Sequence, residues 1–181
     1  MFNKKLQSGV TLIELMVVVA ILAILASLAA PSFNQLIANN RQSSQVNSLL
    51  GDMRFARSEA IKRGRSIALC PSSDPTSATA ACSGNDWRTG WILFVDEDNN
   101  SARASTEAIL RRQESISAQS GGIVTNGSNP VSAFRFNGEG RIPGAQDNLK
   151  FISTLSGIDD RLLCVNTTGR VRVLAKGVST C

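Results

Sequence analysis

The sequence predicts an α+β protein in which a long N-terminal α-helix packs on a C-terminal antiparallel β-sheet domain. Three observations predict this class. Residues 10–30 are almost continuously apolar, residues 31–63 carry apolar side chains at helical spacing, and residues 64–181 alternate β-favouring runs with turn-forming clusters. A chain of 181 residues is long enough for one modest domain with an appendage.

Residues 10–30 have the length of a membrane-spanning helix. These 21 residues would span about 31 Å, which is the thickness of a hydrocarbon core. Lys4 and Lys5 precede the run, so the positive-inside rule places the N-terminus in the cytoplasm and the rest of the chain outside. The alternative is a secretory signal that is removed by cleavage near Ala29.

Glu14 argues against a simple secretory signal. A carboxylate inside a bilayer costs about 2.5–3.5 kcal/mol on insertion scales and usually marks a function or a partner. Residues 10–30 contain no cation to neutralise it. Cleavage between Gly9 and Val10 would create an amine four residues before Glu14, and a neighbouring subunit would then bring its own Glu14 against that amine. We therefore expect Glu14 to act in subunit assembly.

The stretch GVTLIE at residues 9–14, followed by the apolar run and Pro31, resembles the prepilin signature of type IV pilins and type II secretion pseudopilins. In that family a prepilin peptidase cleaves after the glycine and methylates the new N-terminus, and the retained helix forms the filament core. The resemblance implies that Gly9 and Val10 are processed and that Glu14 and Pro31 serve assembly. Val10 stands where the family usually has Phe, so we expect processing to be slower but not abolished.

The resemblance also implies a domain plan, a location and partners. Residues 1–9 are a cleaved leader, 10–30 a transmembrane helix, 31–63 an amphipathic helix, and 64–181 a β-rich domain in the periplasm or on the pilus. The protein is expected to cross the inner membrane once, with its N-terminus in the cytoplasm, and later to reach the pilus fibre and cell surface. Its implied partners are the prepilin peptidase, the inner membrane, and major and minor pilins that contact its helix.

Residues 31–63 predict the amphipathic continuation of the helix. Apolar residues between Val46 and Ala60 recur every three or four positions, and the arginines lie off this stripe. Pro31 is expected to bend the helix because it lacks a backbone donor, and Gly64 is a natural stop. We interpret the arginines of this segment as a solvated face rather than a binding site.

Seven short runs beyond Gly64 predict β-strands, and residues 71–86 and 118–130 predict loops. The seven runs are residues 66–70, 91–95, 108–112, 131–136, 149–153, 161–165 and 170–174. The segment DWRTGWILFVDEDNN and the ending GRVRV resemble GspH/FimT-type minor pilins and pseudopilins, so the resemblance covers most of the chain. We expect Trp87 and Trp91 to pack in the core.

Four cysteines allow three disulfide pairings, and the sequence alone does not choose between them. We favour Cys70–Cys82 and Cys164–Cys181 because both pairs close short loops. Disulfides persist in oxidising compartments, so this pairing requires export of the part of the chain that follows the membrane segment. Because the chain has no histidine, a zinc site would need all four thiolates.

The composition argues against an enzyme, a cofactor or a metal. A Ser or Cys nucleophile would lack a histidine base, and no glycine-rich phosphate loop is evident. Asp96, Asp98, Asn100 and Glu107 are spaced like the ligands of a calcium loop. Ser101 stands where that loop needs glycine and the flanks are predicted strands, so we interpret the segment as a solvated hairpin turn.

The most distinctive candidate binding segment is TTGRVRVLAK at residues 167–176. Gly169 suits a turn, strand alternation places Arg170 and Arg172 on one face, and Lys176 extends the row. These residues match a GRxR motif tied to DNA binding in DNA-uptake minor pilins, which implies phosphate-backbone binding without sequence preference. The alternative to DNA binding is that the arginines only keep an exposed sheet edge soluble, and this interpretation has nearly equal weight.

We therefore interpret the chain as a FimT-like minor type IV pilin. It is expected to assemble into or prime the pilus and to bind extracellular DNA for uptake in natural transformation. The alternatives are a purely structural pilus-initiation subunit and a GspH-like minor pseudopilin of a type II secretion system.

Overall fold

The computed structural model describes residues 9–115, 122–125, 131–144, 148–152, 159–175, 177–178 and 180–181. In this part of the chain, one long α-helix precedes two four-stranded antiparallel sheets. The α+β class predicted from the sequence is confirmed.

The helix α1 covers Leu12–Arg63 and therefore continues through Pro31. It ends at Gly64, whose φ of 60° is the left-handed conformation that glycine adopts readily. The Arg65 N–H donates to the Ala60 carbonyl at 3.3 Å, which satisfies an acceptor of the last turn. The predicted helix stop is therefore confirmed.

Eight strands follow in the described residues. They are β1 Ile67–Pro71, β2 Trp91–Val95, β3 Ile109–Gln113, β4 Gly122–Thr125, β5 Phe134–Phe136, β6 Asn148–Ile152, β7 Arg161–Val165 and β8 Val171–Val173. A 3-10 turn, Trp87–Thr89, precedes β2. The strands form a first sheet in the order β3-β2-β1-β5 and a second sheet in the order β4-β6-β7-β8.

One loop prediction is wrong. The expected loop at residues 118–130 contains β4, which pairs antiparallel with β6 from Gly122 opposite Ile152 to Thr125 opposite Leu149. The isolated IVT triplet favours a strand, but its glycine- and asparagine-rich flanks hid this signal in the sequence. The rest of the expected loop lies outside the described residues.

The chain divides into two compact units, Met1–Ile37 and Ala38–Cys181. In the first unit, the described residues from Leu12 onward are helical. This helix contains a segment long and apolar enough to cross a membrane, and the described residues bury none of it.

The second unit has its own hydrophobic core. The helix contributes one apolar stripe, which faces the inner sides of both sheets. The fully buried members of the stripe are Val46, Leu49, Met53, Ala56 and Ala60. Side chains from the first sheet, such as Leu69 and Leu93, and from the second sheet, such as Leu163, complete the cluster. The predicted amphipathic stripe is therefore the face that closes the core.

The first sheet is also covered on its other face. Ala68, Cys70, Ile92 and Phe94 pack there against Ala80 from the segment that follows β1. The Cys70–Cys82 disulfide ties that segment to the sheet. Because both faces are covered, every residue of β1 and β2 is buried, and the two strands read as continuous apolar runs.

Polar bonds fix the helix on the first sheet. Trp91 Nε1 donates to Asp52 Oδ2 at 2.8 Å, and Arg111 Nη1 donates to Asp52 Oδ1 at 3.1 Å. Trp87 is buried as well, and its Nε1 donates to the Val131 carbonyl at 3.1 Å. Both tryptophans pack in the core, as predicted.

Candidate functional site

The first candidate site is the start of α1. Val10 is 72% exposed and lies just before the helix. The Glu14 N–H donates to Thr11 Oγ1 at 3.3 Å, so Thr11 caps the helix. Thr at the N-cap and Glu three residues later form the sequence pattern of a capping box, and an acid in the first turn also suits the helix dipole. Sequence reasoning missed this local role of Glu14, although the spacing in TLIE signals it.

The helix that follows is apolar on all sides. Its large side chains from Leu12 to Leu25 are exposed, and they include neighbours such as Val17, Val18 and Val19 that point in different directions. A helix that is apolar all round is covered by lipid or by other protein. Lys4 and Lys5 lie outside the described residues, and Pro31 lies within α1.

The second candidate site is the turn between β7 and β8. Asn166 organises it, because its Oδ1 accepts the Arg170 N–H at 2.9 Å and its carbonyl accepts the Gly169 N–H at 2.9 Å. Gly169 has a φ of 74°, and a Cβ at this position would overlap the carbonyl oxygen of Gly140. The turn therefore requires glycine at position 169.

The two arginines of this turn come together at one surface. Arg170 precedes β8, Arg172 lies in its middle, and both side chains are exposed, whereas Val171 is buried. Both arginines line a cavity of about 180 Å³ together with the Cys164–Cys181 disulfide. β8 is an edge strand of its sheet, so the surface is open. Lys176 lies outside the described residues.

Both disulfides join the pairs that the short loops favoured. Cys70 and Cys82 have a Cα separation of 5.5 Å, and Cys164 and Cys181 have one of 5.9 Å. The second bond holds Cys181 beside β7. It therefore fixes one wall of the cavity at the arginines.

The acidic turn after β2 differs from the expected solvated hairpin turn. Oxygen atoms of Asp96, Asp98 and Glu107 lie within 4.8 Å of one another. Asp96 is only 1% exposed and Glu107 only 4%. The expectation of a solvated turn is therefore wrong for these two residues.

The buried carboxylates are used by the turn itself. Asp96 accepts the Ser101 N–H at 3.1 Å, and Glu107 accepts the N–H groups of Glu97 and Ala104 at 2.7 and 2.8 Å. Burial is the main reason why the pKa of Asp96 is raised above its ordinary value. These bonds give the carboxylates a structural role, because they satisfy buried backbone donors.

Comparison with known families gives two matches. Residues 45–169 match the family described as type II transport protein GspH, and residues 4–30 match the prokaryotic N-terminal methylation motif. Curated relatives are type IV major fimbrial proteins FimA of Dichelobacter nodosus. One is 46% identical over 67 residues, which cover 37% of this chain and 42% of the relative. Another is 42% identical over 105 residues, which cover 58% of this chain and 61% of that relative. The chain therefore spans less than two thirds of these relatives.

Solved structures share the fold. The type IV minor pilin FimU of Pseudomonas aeruginosa aligns with a TM-score of 0.60 at 19% identity, over 78% of this chain and 93% of FimU. The minor pseudopilin EpsH from the type II secretion system of Vibrio cholerae aligns with a TM-score of 0.53 at 11% identity, over 76% and 99%. At these identities the likeness establishes the architecture alone.

Proposed function

Since the chain belongs to the GspH family of type II transport proteins, we propose that it is a FimT-like minor pilin of a type IV pilus. Members of this family are pilin-like structural subunits and not enzymes. In the proposal, the protein assembles through its N-terminal helix and binds DNA without sequence preference through the arginines beside β8. The observation that carries the assembly role is the helix surface from Leu15 to Leu25, which is apolar on all sides and exposed.

The assembly role has an apolar part and a charged part. The apolar surface is covered first by the inner membrane and then by the helices of major and minor pilins. The charge on Glu14 meets the amine that cleavage by the prepilin peptidase creates at Val10 of a neighbouring subunit. A carboxylate and an ammonium group that pair in an apolar filament core lower each other's cost of burial.

The proposed location follows from the same segment. The N-terminal methylation motif covers residues 4–30, which supports cleavage after Gly9, methylation of Val10 and retention of the helix. In this proposal the second unit, Ala38–Cys181, faces the periplasm and later the pilus surface. An oxidising compartment of this kind is where its two disulfides persist.

The substitution Glu14→Gln separates assembly from helix capping. Glutamine serves a capping box as well as glutamate does, but it carries no charge. We expect the variant to be cleaved and to remain in the membrane, yet to be absent from sheared pili on an immunoblot. The control Glu139→Gln makes the same change at an exposed position of the second unit and should assemble normally. Wild-type amounts of Glu14→Gln in pili would reject the docking role.

DNA binding is supported by the charge around β8. From residue 161 onward the chain contains four Lys or Arg residues and no acid, although residues 64–181 as a whole are nearly neutral. Arg170 and Arg172 are both exposed at an edge strand. Guanidinium groups bind phosphate oxygens without reading the bases, so the binding should be weak, non-specific and strongly salt-dependent.

The test is duplex binding by the full chain in a non-ionic detergent, followed by the anisotropy of labelled DNA. Arg170→Gln/Arg172→Gln should lose most binding at low salt without a change in unfolding temperature. The matched control Arg65→Gln/Arg88→Gln removes equal charge from two arginines that pair with Glu97 and Asp86, and it should bind like the wild type. Wild-type binding by the Arg170/Arg172 variant would leave these arginines only the role of keeping the sheet edge soluble.

A type II secretion pseudopilin is the second candidate. The observation that favours it is the fold shared with the pseudopilin EpsH, together with the GspH family match. The same helix chemistry would then serve a pseudopilus. The neighbouring genes distinguish the two systems, because pilus biogenesis genes support the pilus and a secretion operon supports the pseudopilus.

A further inference from the structure

A second basic groove lies between the helix and the turn before β8, within the unit Ala38–Cys181. Its volume is about 410 Å³. The residues that matter for its chemistry are Arg54, Arg57 and Ile61 on the helix side, and Gly169 and Arg170 on the strand side. None of the described residues that line it is acidic. The groove therefore presents three guanidinium groups to an anion.

The helix side of the groove follows from residue spacing. Arg54, Arg57 and Ile61 are three and four positions apart, so they lie on one side of α1. Ile61 is apolar and yet 53% exposed. This is the face that the sequence led us to interpret as merely solvated.

Two glycines bring the turn against this face. A Cβ at Gly169 would lie 3.3 Å from Arg57 Nε, and a Cβ at Gly140 would collide with the side chain of Ile61. Arg57 is therefore packed between two backbone turns. Its Nε is buried and has no hydrogen-bond partner among the described residues.

The charge of these helix arginines is not neutralised within the described part of the chain. Arg63, Arg65 and Arg111 each lie within 3.1 Å of a carboxylate oxygen. Neither Arg54 nor Arg57 forms such a pair with a described residue. Neighbouring like charges repel one another, and an anion with several acceptor oxygens relieves this repulsion.

We propose that Arg54 and Arg57 form a second phosphate subsite for the nucleic-acid strand that Arg170 and Arg172 bind. The proposal rests on the DNA-binding function proposed above. Arg170 lines both this groove and the cavity that contains Arg172. A backbone that contacts Arg172 therefore passes Arg170 and reaches the helix, where exposed Ile61 meets the sugars between the phosphates.

The experiment measures the salt dependence of duplex binding by the full chain in a non-ionic detergent. Arg54→Gln/Arg57→Gln should reduce the slope of log affinity against log salt by about 0.9 for each phosphate that the variant no longer neutralises. The control Arg65→Gln/Arg88→Gln, which removes the same charge, should retain the wild-type slope. Wild-type slopes in both variants would overturn the proposal.

The single variant Arg54→Gln tests the proposal even if the double variant does not fold. Arg54 is exposed, whereas Arg57 is packed, so Arg54→Gln should keep the unfolding temperature and reduce the slope by the value for one phosphate. If Arg170→Gln/Arg172→Gln abolishes binding and Arg54→Gln keeps the wild-type slope, the second subsite is refuted and the proposed function stands. If the wild type does not bind DNA, both fail. The assignment would also be refuted if Arg54→Gln weakened binding of the protein to phosphatidylglycerol vesicles but left its binding to DNA unchanged.

Discussion

Two segments of the helix α1 differ in how far the described part of the chain buries their apolar side chains. Around Leu22 the helix is apolar on every side and that side chain is 58% exposed, whereas Leu49, further along α1, is fully buried. The later segment needs only the two sheets of its own unit to cover its apolar stripe. None of the described residues covers the apolar surface of the earlier segment. The later segment therefore completes a folded core, and we propose that the earlier segment serves assembly.

The acids of the two segments show the same difference. Asp52 accepts bonds from Trp91 and Arg111 within the folded unit, so its charge is satisfied locally. The side chain of Glu14 is exposed. We propose that the charge of Glu14, unlike that of Asp52, is used by another subunit in assembly.

Truncating one leucine in each segment to alanine should give the largest difference in the free energy of unfolding. Leu49→Ala removes a fully buried side chain and should lower the free energy of unfolding by about 2–5 kcal/mol. Leu22→Ala should change it by less than about 0.5 kcal/mol, because that side chain lies outside the core. Denaturant unfolding in detergent, monitored by tryptophan fluorescence, measures both. Equal losses would break the distinction between the two segments.

Glycine substitutions should give a smaller contrast within the folded unit. Gly169→Ala forces a left-handed residue against the Gly140 carbonyl and should lower the free energy of unfolding by more than about 1 kcal/mol. Gly51→Ala lies in the helix with open space around it and should raise stability by about 0.5–1 kcal/mol. Thermal unfolding checks both signs. A neutral Gly169→Ala would show that the turn does not depend on this close approach.

Regular patterns in the sequence predicted most of the fold. Residues 91–95 and 161–165 are strands with the predicted bounds, because each is a compact apolar run. The end of the helix at Gly64 was also predictable, because glycine readily adopts the left-handed conformation that ends a helix. β4 was missed because three β-favouring residues between glycine- and asparagine-rich flanks carry a weak local signal, and pairing with β6 decides their structure.

The candidate sites depended more on tertiary structure. The outward direction of Arg172 followed from strand alternation, whereas Arg170 lies in the turn before β8. The groove of Arg54 and Arg57 did not follow from the sequence, because it exists only where the Gly169 turn meets the helix. The burial of Asp96 was also hidden, since the backbone donors that it satisfies become visible only when the turn is folded.

The intact mass of the protein extracted from native membranes tests the assembly account most directly. We expect a chain that begins at Val10, carries one N-terminal methyl group and retains the apolar helix. In the matched variant Gly9→Leu, the bulky residue at the cleavage site should leave the mass of the uncut precursor. A wild-type chain that still begins at Met1, or that has been cut near Ala29 and lost the helix, would contradict the account.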